Sequence, residues 1–150
     1  MEHLSVLLQE SIDLLSIKED GIYVDLTLGR GGTSSEILKR LKDGHLYAFD
    51  LDEEAIKESR PRLEAISDRF TLIHANYARF AEILRDMGVD KIDGLVADLG
   101  VSSPQFDDGS RGFSYRSNAP LDMRMDQSQT LSAQTIVNSY SVGELTRIFR

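Results

Sequence analysis

Short apolar runs with two different periods alternate along the first two thirds of the chain. Four runs rich in β-branched and aromatic residues, bounded by glycine or acidic residues, predict strands at 22–27, 45–50, 70–75 and 92–98. Apolar positions three and four residues apart predict helices at 4–15, 34–42, 52–66 and 77–87, with a kink or break expected at Pro61. Strands that alternate with helices indicate an α/β fold around a parallel sheet.

The alternation stops at Asp98. Residues 99–129 are rich in Gly, Ser, Pro, Asp and Arg and have no clear period, which predicts a long and functional loop. Residues 132–140 and 141–150 then predict two helices. The last amphipathic pattern reaches Arg150 without a Gly or Pro stop, so we expect the chain to be a fragment of a longer fold.

Composition narrows the class of protein. The 150 residues suffice for one domain, and a net charge of −8 argues against a broad nucleic-acid-binding surface while allowing a small local site. The chain has no cysteine, and His3, His45 and His74 are scattered, so we predict no metal site. No apolar run approaches the roughly 20 residues of a membrane span, and the N-terminus lacks a basic leader. We therefore expect a cytoplasmic protein with no membrane partner.

A glycine-rich turn and acidic residues lie where the predicted strands end. The turn contains Gly29, Gly31 and Gly32; the acids are Asp25, Asp50 and Asp98. Glycines let backbone amides approach a ligand, and the following helix N-terminus favours a carboxylate or phosphate. Asp50 follows Gly29 by 21 residues, close to the offset of about 20 expected for an acid that binds a ribose. This arrangement predicts a nucleoside-cofactor site.

Simpler interpretations of the same residues exist. The turn can be only a tight connection, and Asp50, followed by Asp52 and Glu53, can simply favour a helix N-terminus. The sequence GRGGTS also lacks the complete GxGxxG pattern of dinucleotide sites, although a nicotinamide-dependent dehydrogenase stays as an alternative. Acids around glycines suit the sulfonium and ammonium of S-adenosylmethionine better than a dinucleotide.

The long loop offers groups that could handle a nucleobase. Asp98, Ser102, Ser103 and the Pro104 turn are candidate acceptors for the N–H bonds of an exocyclic amine, which must be aligned with a methyl donor. Arginines could bind phosphates and aromatic residues could stack on a base; these are Arg111, Arg116, Arg124, Phe113 and Tyr115. Alternatively, the apolar side chains only pin the loop and the arginines only pair with acids; the residues concerned are Phe113, Tyr115, Leu121, Met123, Asp107, Asp108, Asp122 and Asp126.

Three stretches together resemble one known family. They are His3 with Ser5–Val6–Leu7–Leu8, then GIYVDLTLGRGG, then DLGVSSPQFDDGSRGFSYR with PLDMRMD. They resemble the bacterial small-subunit (16S) ribosomal RNA cytosine-N4 methyltransferases over nearly the whole chain. The resemblance implies a Rossmann-like S-adenosylmethionine-dependent methyltransferase fold with an inserted helical domain. It also implies methylation of the N4 amine of a decoding-centre cytosine, with 16S rRNA in the small ribosomal subunit as the partner.

The resemblance also implies particular cofactor contacts. Carried over by position, they are Gly31, Gly32, Thr33, Asp50, Tyr77, Asp98 and Gln105. Family members usually carry His where this chain has Thr33, whose hydroxyl can still bond a carboxylate. We expect residues 1–104 to form the cofactor domain and 105–150 to form the substrate loop and the start of the helical insertion. A truncated, non-catalytic module that binds S-adenosylmethionine or RNA is the alternative.

Overall fold

The computed structural model describes residues 7–150, which form two compact units, 7–99 and 100–150. His3, Ser5 and Val6 of the family resemblance, and the start of the first predicted helix, lie outside the described residues. The expected functional division after residue 104 stays a prediction.

The first unit alternates helices and strands as the sequence predicts. Its elements are α1 (Leu8–Leu14), β1 (Ile22–Asp25), α2 (Gly32–Leu38), β2 (His45–Asp50), α3 (Glu53–Glu64), β3 (Phe70–His74), α4 (Phe80–Asp86) and β4 (Gly94–Val96). A single 3₁₀ turn, Tyr77–Arg79, precedes α4 within the predicted helix 77–87. Most of the elements are shorter than predicted, because apolar periodicity continues past the last backbone hydrogen bond of each element.

The four strands form one parallel sheet in the order β3-β2-β1-β4. β1 is central: Tyr23 is aligned with Leu46 of β2 and with Gly94 of β4. Successive side chains of a strand point to opposite faces. Tyr23 and Val24 accordingly belong to two different core clusters, so the sheet is covered on both faces.

The two cores draw on different helices. The larger cluster joins Ile12 of α1, Ile37 and Leu38 of α2, and Leu63 of α3 to the strands. The smaller cluster packs Leu84 of α4 against the opposite face of the sheet. Because all four strands are parallel, the loop after each strand lies at one edge of the unit, where the carboxyl ends of the strands meet.

Helix α3 corrects the expectation at Pro61. Asp52 caps the helix by accepting a hydrogen bond from the Glu54 backbone N–H at 3.1 Å. The helix then runs through Pro61 without ending, and the Pro61 carbonyl accepts from Ala65 N–H at 3.2 Å. Pro61 is exposed, so water can solvate the carbonyl one turn earlier that loses its N–H partner. The predicted break is therefore wrong, and the predicted kink stays a prediction.

The second unit contains more regular structure than its composition indicates. Its helices are α5 (Ser103–Asp107), α6 (Ala133–Ser139) and α7 (Val142–Ile148), with a 3₁₀ turn at Gly109–Arg111. The two helices predicted after residue 131 are present. Helix α5 was missed inside the predicted loop, although the pattern Ser-x-x-Gln from Ser102 to Gln105 is a helix-capping signal.

Candidate functional site

The order in which successive strands are added to the sheet reverses at β1, the central strand. The chain passes from β1 to β2 on one side, and β4 pairs with β1 on the other. In open parallel sheets, ligands bind outside the carboxyl ends of the strands at such a switch point. The segments that follow β1 and β4 therefore lie where a ligand site is expected.

The glycine turn lies directly after β1. Gly29 and Gly31 have φ angles of 50° and 74°, which side chains other than glycine rarely adopt. The Gly31 N–H donates to the Leu28 carbonyl at 2.8 Å, and Gly31 is the N-cap residue of α2. A Cβ at Gly31 would lie 3.2 Å from the Cβ of Ser59, whereas one at Gly32 would meet no atom within 4 Å. The turn is thus packed at Gly31 and open at Gly32.

Asp50 at the end of β2 contacts this turn. Its carboxylate accepts from the Gly29 N–H at 2.8 Å and from the Asp52 N–H at 2.9 Å. Burial raises the pKa of the Asp50 carboxyl, and the two amides oppose that rise. The structure therefore joins the predicted ribose-binding acid to the predicted glycine turn, although they lie 21 residues apart in sequence.

Asp25 at the end of β1 is buried, with only 1% of its surface exposed. Its carboxylate accepts from the Ser34 hydroxyl at 2.7 Å and from the Thr27 N–H at 3.0 Å. Burial raises its pKa to about 6 against these two hydrogen bonds, and the charges of Asp50 and Asp98 add to the rise. Its contacts were not foreseen, although an acid within the apolar run IYVDL was a signal that it would be buried.

Asp98 follows β4 at the other side of the switch point. Its backbone N–H donates to the Thr27 hydroxyl at 2.7 Å, and its side chain is exposed. Since Asp50 and Asp98 both act electrostatically on Asp25, the structure brings the three acids to one edge of the sheet.

Tyr77 lies beside the same edge. The Ala75 N–H at the end of β3 donates to the Asp50 carbonyl at 3.1 Å, and Tyr77 opens the 3₁₀ turn two residues later. The side chain of Tyr77 is 44% exposed, which leaves a face available for a ligand. Thr33 is half-buried in the first turn of α2. Their predicted contacts with a cofactor stay predictions.

The candidate substrate residues of the second unit surround the start of α5. Ser102 caps this helix, and Ser103 and Pro104 form its first turn. Gln105 is buried, and its side-chain oxygen accepts from the Ser102 N–H at 3.0 Å. Gln105 thus has a structural partner, while its role and those of Ser102, Ser103 and Pro104 toward a ligand stay predictions.

Two of the three candidate phosphate-binding arginines are engaged inside the second unit. Arg124 forms an ion pair with Asp122 at 2.7 Å, and Arg111 is buried and donates to the carbonyls of Arg124 and Met125. Arg124 therefore pairs with an acid, as the alternative interpretation expects, whereas Arg111 donates to backbone carbonyls. Arg116 is exposed, and Tyr115 beside it is 95% exposed, so Tyr115 does not pin the loop.

The described residues offer no group of three His, Cys, Asp or Glu side chains that could hold a metal ion. No helix within 7–150 is long and apolar enough to cross a bilayer.

A parallel sheet in this order, with a glycine turn and acidic residues at its switch point, defines a Rossmann-like methyltransferase fold. A Streptococcus mutans methyltransferase, solved in complex with SAH, matches 67% of this chain and 56% of its own with a TM-score of 0.54 and 25% identity. The model of the MraW methylase family matches residues 1–150. The chain belongs to this family.

Individual relatives agree with that assignment. The chain is 54% identical to the ribosomal RNA small subunit methyltransferase H of Lactiplantibacillus plantarum, over 99% of this chain and 47% of the relative. It is 52% identical to the protein of the same name from Mycoplasmopsis synoviae, over 99% of this chain and 49% of the relative. The chain spans about half the length of the curated relatives it matches.

Proposed function

We propose that the protein transfers a methyl group from S-adenosylmethionine to the N4 amine of a cytosine in the decoding centre of 16S rRNA. The observation that carries the proposal is the 2.8 Å hydrogen bond between Gly29 and Asp50, which unites the glycine turn with a ribose-binding acid at the switch point. The relatives named as small-subunit rRNA methyltransferases and the SAH bound to the S. mutans neighbour support the substrate and the cofactor.

The site fits this cofactor on two grounds. The space beside Gly32 is open, so the backbone can approach the methionine end there, with Thr33 beside it. Asp50 and Asp98, whose charges also act on Asp25, create a negative field at the same edge, which favours a ligand that carries a sulfonium and an ammonium. Two acceptor sites of the Asp50 carboxylate are occupied by amides, and the remaining lone pairs can accept from the ribose hydroxyls.

S-adenosylmethionine supplies an electrophilic methyl group on sulfur. The contribution of the chain would be alignment: its residues would hold the amine nitrogen in line with the carbon–sulfur bond, which breaks to release S-adenosylhomocysteine as the methyl group is transferred. The carboxylate of Asp98 would take the proton that the nitrogen loses. Acceptors that hold the N–H bonds orient the lone pair, and we assign this role to Asp98 with Ser102, Ser103 and Pro104. Tyr77 and Gln105 flank the adenine or the substrate side.

The distribution of charge supports RNA binding through the second unit. Residues 1–99 carry 20 acids and 12 basic residues, whereas residues 100–150 carry five of each. Phosphates are repelled by the first segment and tolerated by the second. The exposed pair Tyr115 and Arg116 offers stacking and a cation in the tolerant segment. A ribosomal substrate also places the activity in the cytoplasm.

The decisive experiment is transfer of a labelled methyl group to small ribosomal subunits that lack the modification, followed by digestion and nucleoside analysis. The proposal expects label in N4-methylcytidine. Label in another nucleoside would overturn the cytosine assignment.

A non-catalytic cofactor- or RNA-binding module is the second candidate, since the glycine turn with Asp50 and the exposed pair Tyr115 and Arg116 would serve binding without catalysis. Binding of S-adenosylhomocysteine by the protein, without methyl transfer to any nucleoside, would select this candidate over the enzyme.

A further inference from the structure

The glycine turn is closed at both ends by one side chain. Asp25 accepts from the N–H of Thr27, just before the turn, and from the hydroxyl of Ser34, just after it. The intervening residues, 28–33, contain all three glycines. Glycine-rich segments have high conformational entropy, so a turn of this composition needs ties at its ends to keep one shape.

The hydrogen bond between Asp25 and Ser34 lies in the protein interior. Asp25 and Ser34 are 1% and 0% exposed, so water does not compete for their hydrogen bond. An unpartnered carboxylate in such a place would be costly, and the two donors stabilise it there. Asp50 holds the middle of the same turn through Gly29, but Asp50 is only partly buried.

Asp25 is also linked, through Thr27, to the segment that follows β4 on the other side of the switch point. Thr27, held through its N–H by Asp25, accepts the Asp98 N–H with its hydroxyl at 2.7 Å. The path Asp25–Thr27–Asp98 therefore links the turn after β1 to the chain after β4. Both are segments to which the proposed function assigns ligand contacts.

We propose that Asp25 is a positioning residue, which holds the glycine turn in its ligand-binding shape by bridging Thr27 and Ser34 and fixes Asp98 through Thr27. The proposal rests on the proposed function for its ligand, S-adenosylmethionine or its product. It assigns Asp25 no contact with that ligand.

Three substitutions separate the bridge from the charge. Asp25→Ala removes both ties, and Ser34→Ala removes one. Asp25→Asn keeps both, because the amide oxygen can accept from Thr27 while the amide nitrogen donates to a rotated Ser34 hydroxyl. We expect the affinity for S-adenosylhomocysteine, measured by calorimetry, to fall at least tenfold in Asp25→Ala, severalfold in Ser34→Ala and less than threefold in Asp25→Asn.

A double-mutant cycle tests whether the two residues act as one unit. If they do, Ser34→Ala adds no further loss in the Asp25→Ala background. Additive losses, or an Asp25→Ala variant that binds as tightly as the parent protein, would overturn the proposal.

A measurement without ligand separates failure of this proposal from failure of the proposed function. Amide hydrogen exchange at Gly29 and Gly31 should accelerate at least tenfold in Ser34→Ala and stay near the parent rate in Asp25→Asn. If the parent protein binds no S-adenosylhomocysteine, the proposed cofactor is wrong, and exchange still reports on the bridge. An unchanged exchange rate in Ser34→Ala would refute the bridge even if the cofactor binds. Because Ser34→Ala removes only one hydroxyl, this test can still be made if Asp25→Ala fails to fold.

Discussion

Replacing Asp25 by Asn should stabilise the protein at neutral pH while leaving its hydrogen bonds in place. Asn has nearly the same shape as Asp and does not ionise. At pH 7 the parent protein must keep a charged carboxylate in a position with 1% exposure. The variant escapes that cost, and the Ser34 hydroxyl can rotate to accept from the new amide.

The size of the effect follows from the pKa. Burial raises the pKa of Asp25 from 3.8 to about 6, so the folded protein binds this proton more tightly than the unfolded chain. A raised pKa contributes stability at low pH that is lost as the pH rises from about 4 to 6. The full shift corresponds to about 3 kcal/mol, of which about 2 kcal/mol falls between pH 4 and 7.5. The free energy of unfolding of Asp25→Asn, relative to the parent, should rise by that amount over this range.

Urea unfolding at a series of pH values, followed by circular dichroism, measures this difference. Groups common to both proteins cancel, so the pH dependence of the difference belongs to Asp25. Asp93→Asn is the matched control in the same unit. The Lys18 side chain and the Ile22 amide lower the pKa of Asp93, so the stability that Asp93 contributes is lost only as the pH falls through that lower range. Its difference should therefore not rise in favour of the variant. A flat difference for Asp25→Asn would refute the account of a buried, ionised carboxylate.

Three further outcomes are expected. Asp50→Ala should weaken S-adenosylhomocysteine binding about 100-fold, since two charge-assisted hydrogen bonds are worth about 3 kcal/mol. The variant should also lose the preference of the parent for the ligand over its 2′-deoxy analogue; retained preference in calorimetry would argue against a ribose contact. Gly32→Ala should bind the ligand at least tenfold more weakly at unchanged thermal stability, because the added methyl group enters the open space beside the turn. Gly31→Ala should instead lower the free energy of unfolding by about 1–2 kcal/mol, because Gly31 has a φ of 74° and its new Cβ would contact Ser59. Tyr115→Ala should weaken binding to small ribosomal subunits about tenfold in a filter-binding assay, whereas Tyr115→Phe should not, because it keeps the aromatic ring. The affinity for S-adenosylhomocysteine, measured by calorimetry, should not change in either variant. Equal binding of subunits by both variants would exclude stacking.

The parallel α/β sheet and the position of Asp50 at a strand end could be predicted from the sequence for a physical reason. Strands and helices have different apolar periods, and the right-handed crossover rule leaves few ways to assemble them. The connection between Gly29 and Asp50 could be predicted because both follow neighbouring parallel strands, whose carboxyl ends share one edge. The 2.8 Å contact places Asp50 against the glycine turn, while the contacts of both with a cofactor stay predictions.

The role of Asp25 could not be predicted in the same way. Its partners depend on the direction of its side chain and on the rotation of α2 that turns Ser34 toward it. The spacing of apolar residues predicts neither the direction of the side chain nor the rotation of the helix. The arginines of the second unit show a similar limit. Arg111 and Arg124 lie among acids and glycines, which suggests that both are exposed. Arg111 is nevertheless buried, because the backbone of the loop directs the carbonyls of Arg124 and Met125 toward its guanidinium.

Two opposite electrostatic demands are divided along this chain. A cationic cofactor is favoured by acids, whereas RNA is repelled by them, so one surface serves both poorly. The segment 1–99 holds the excess of acids together with Asp25, Asp50 and Asp98, and the segment 100–150 is balanced and exposes Tyr115 and Arg116. An acidic protein can therefore have an RNA substrate if the phosphates meet the balanced segment. A consequence is that the salt dependence of subunit binding should be reduced by Arg116→Ala and unaffected by neutralising Asp50, since a phosphate contact releases counterions and a ribose contact does not.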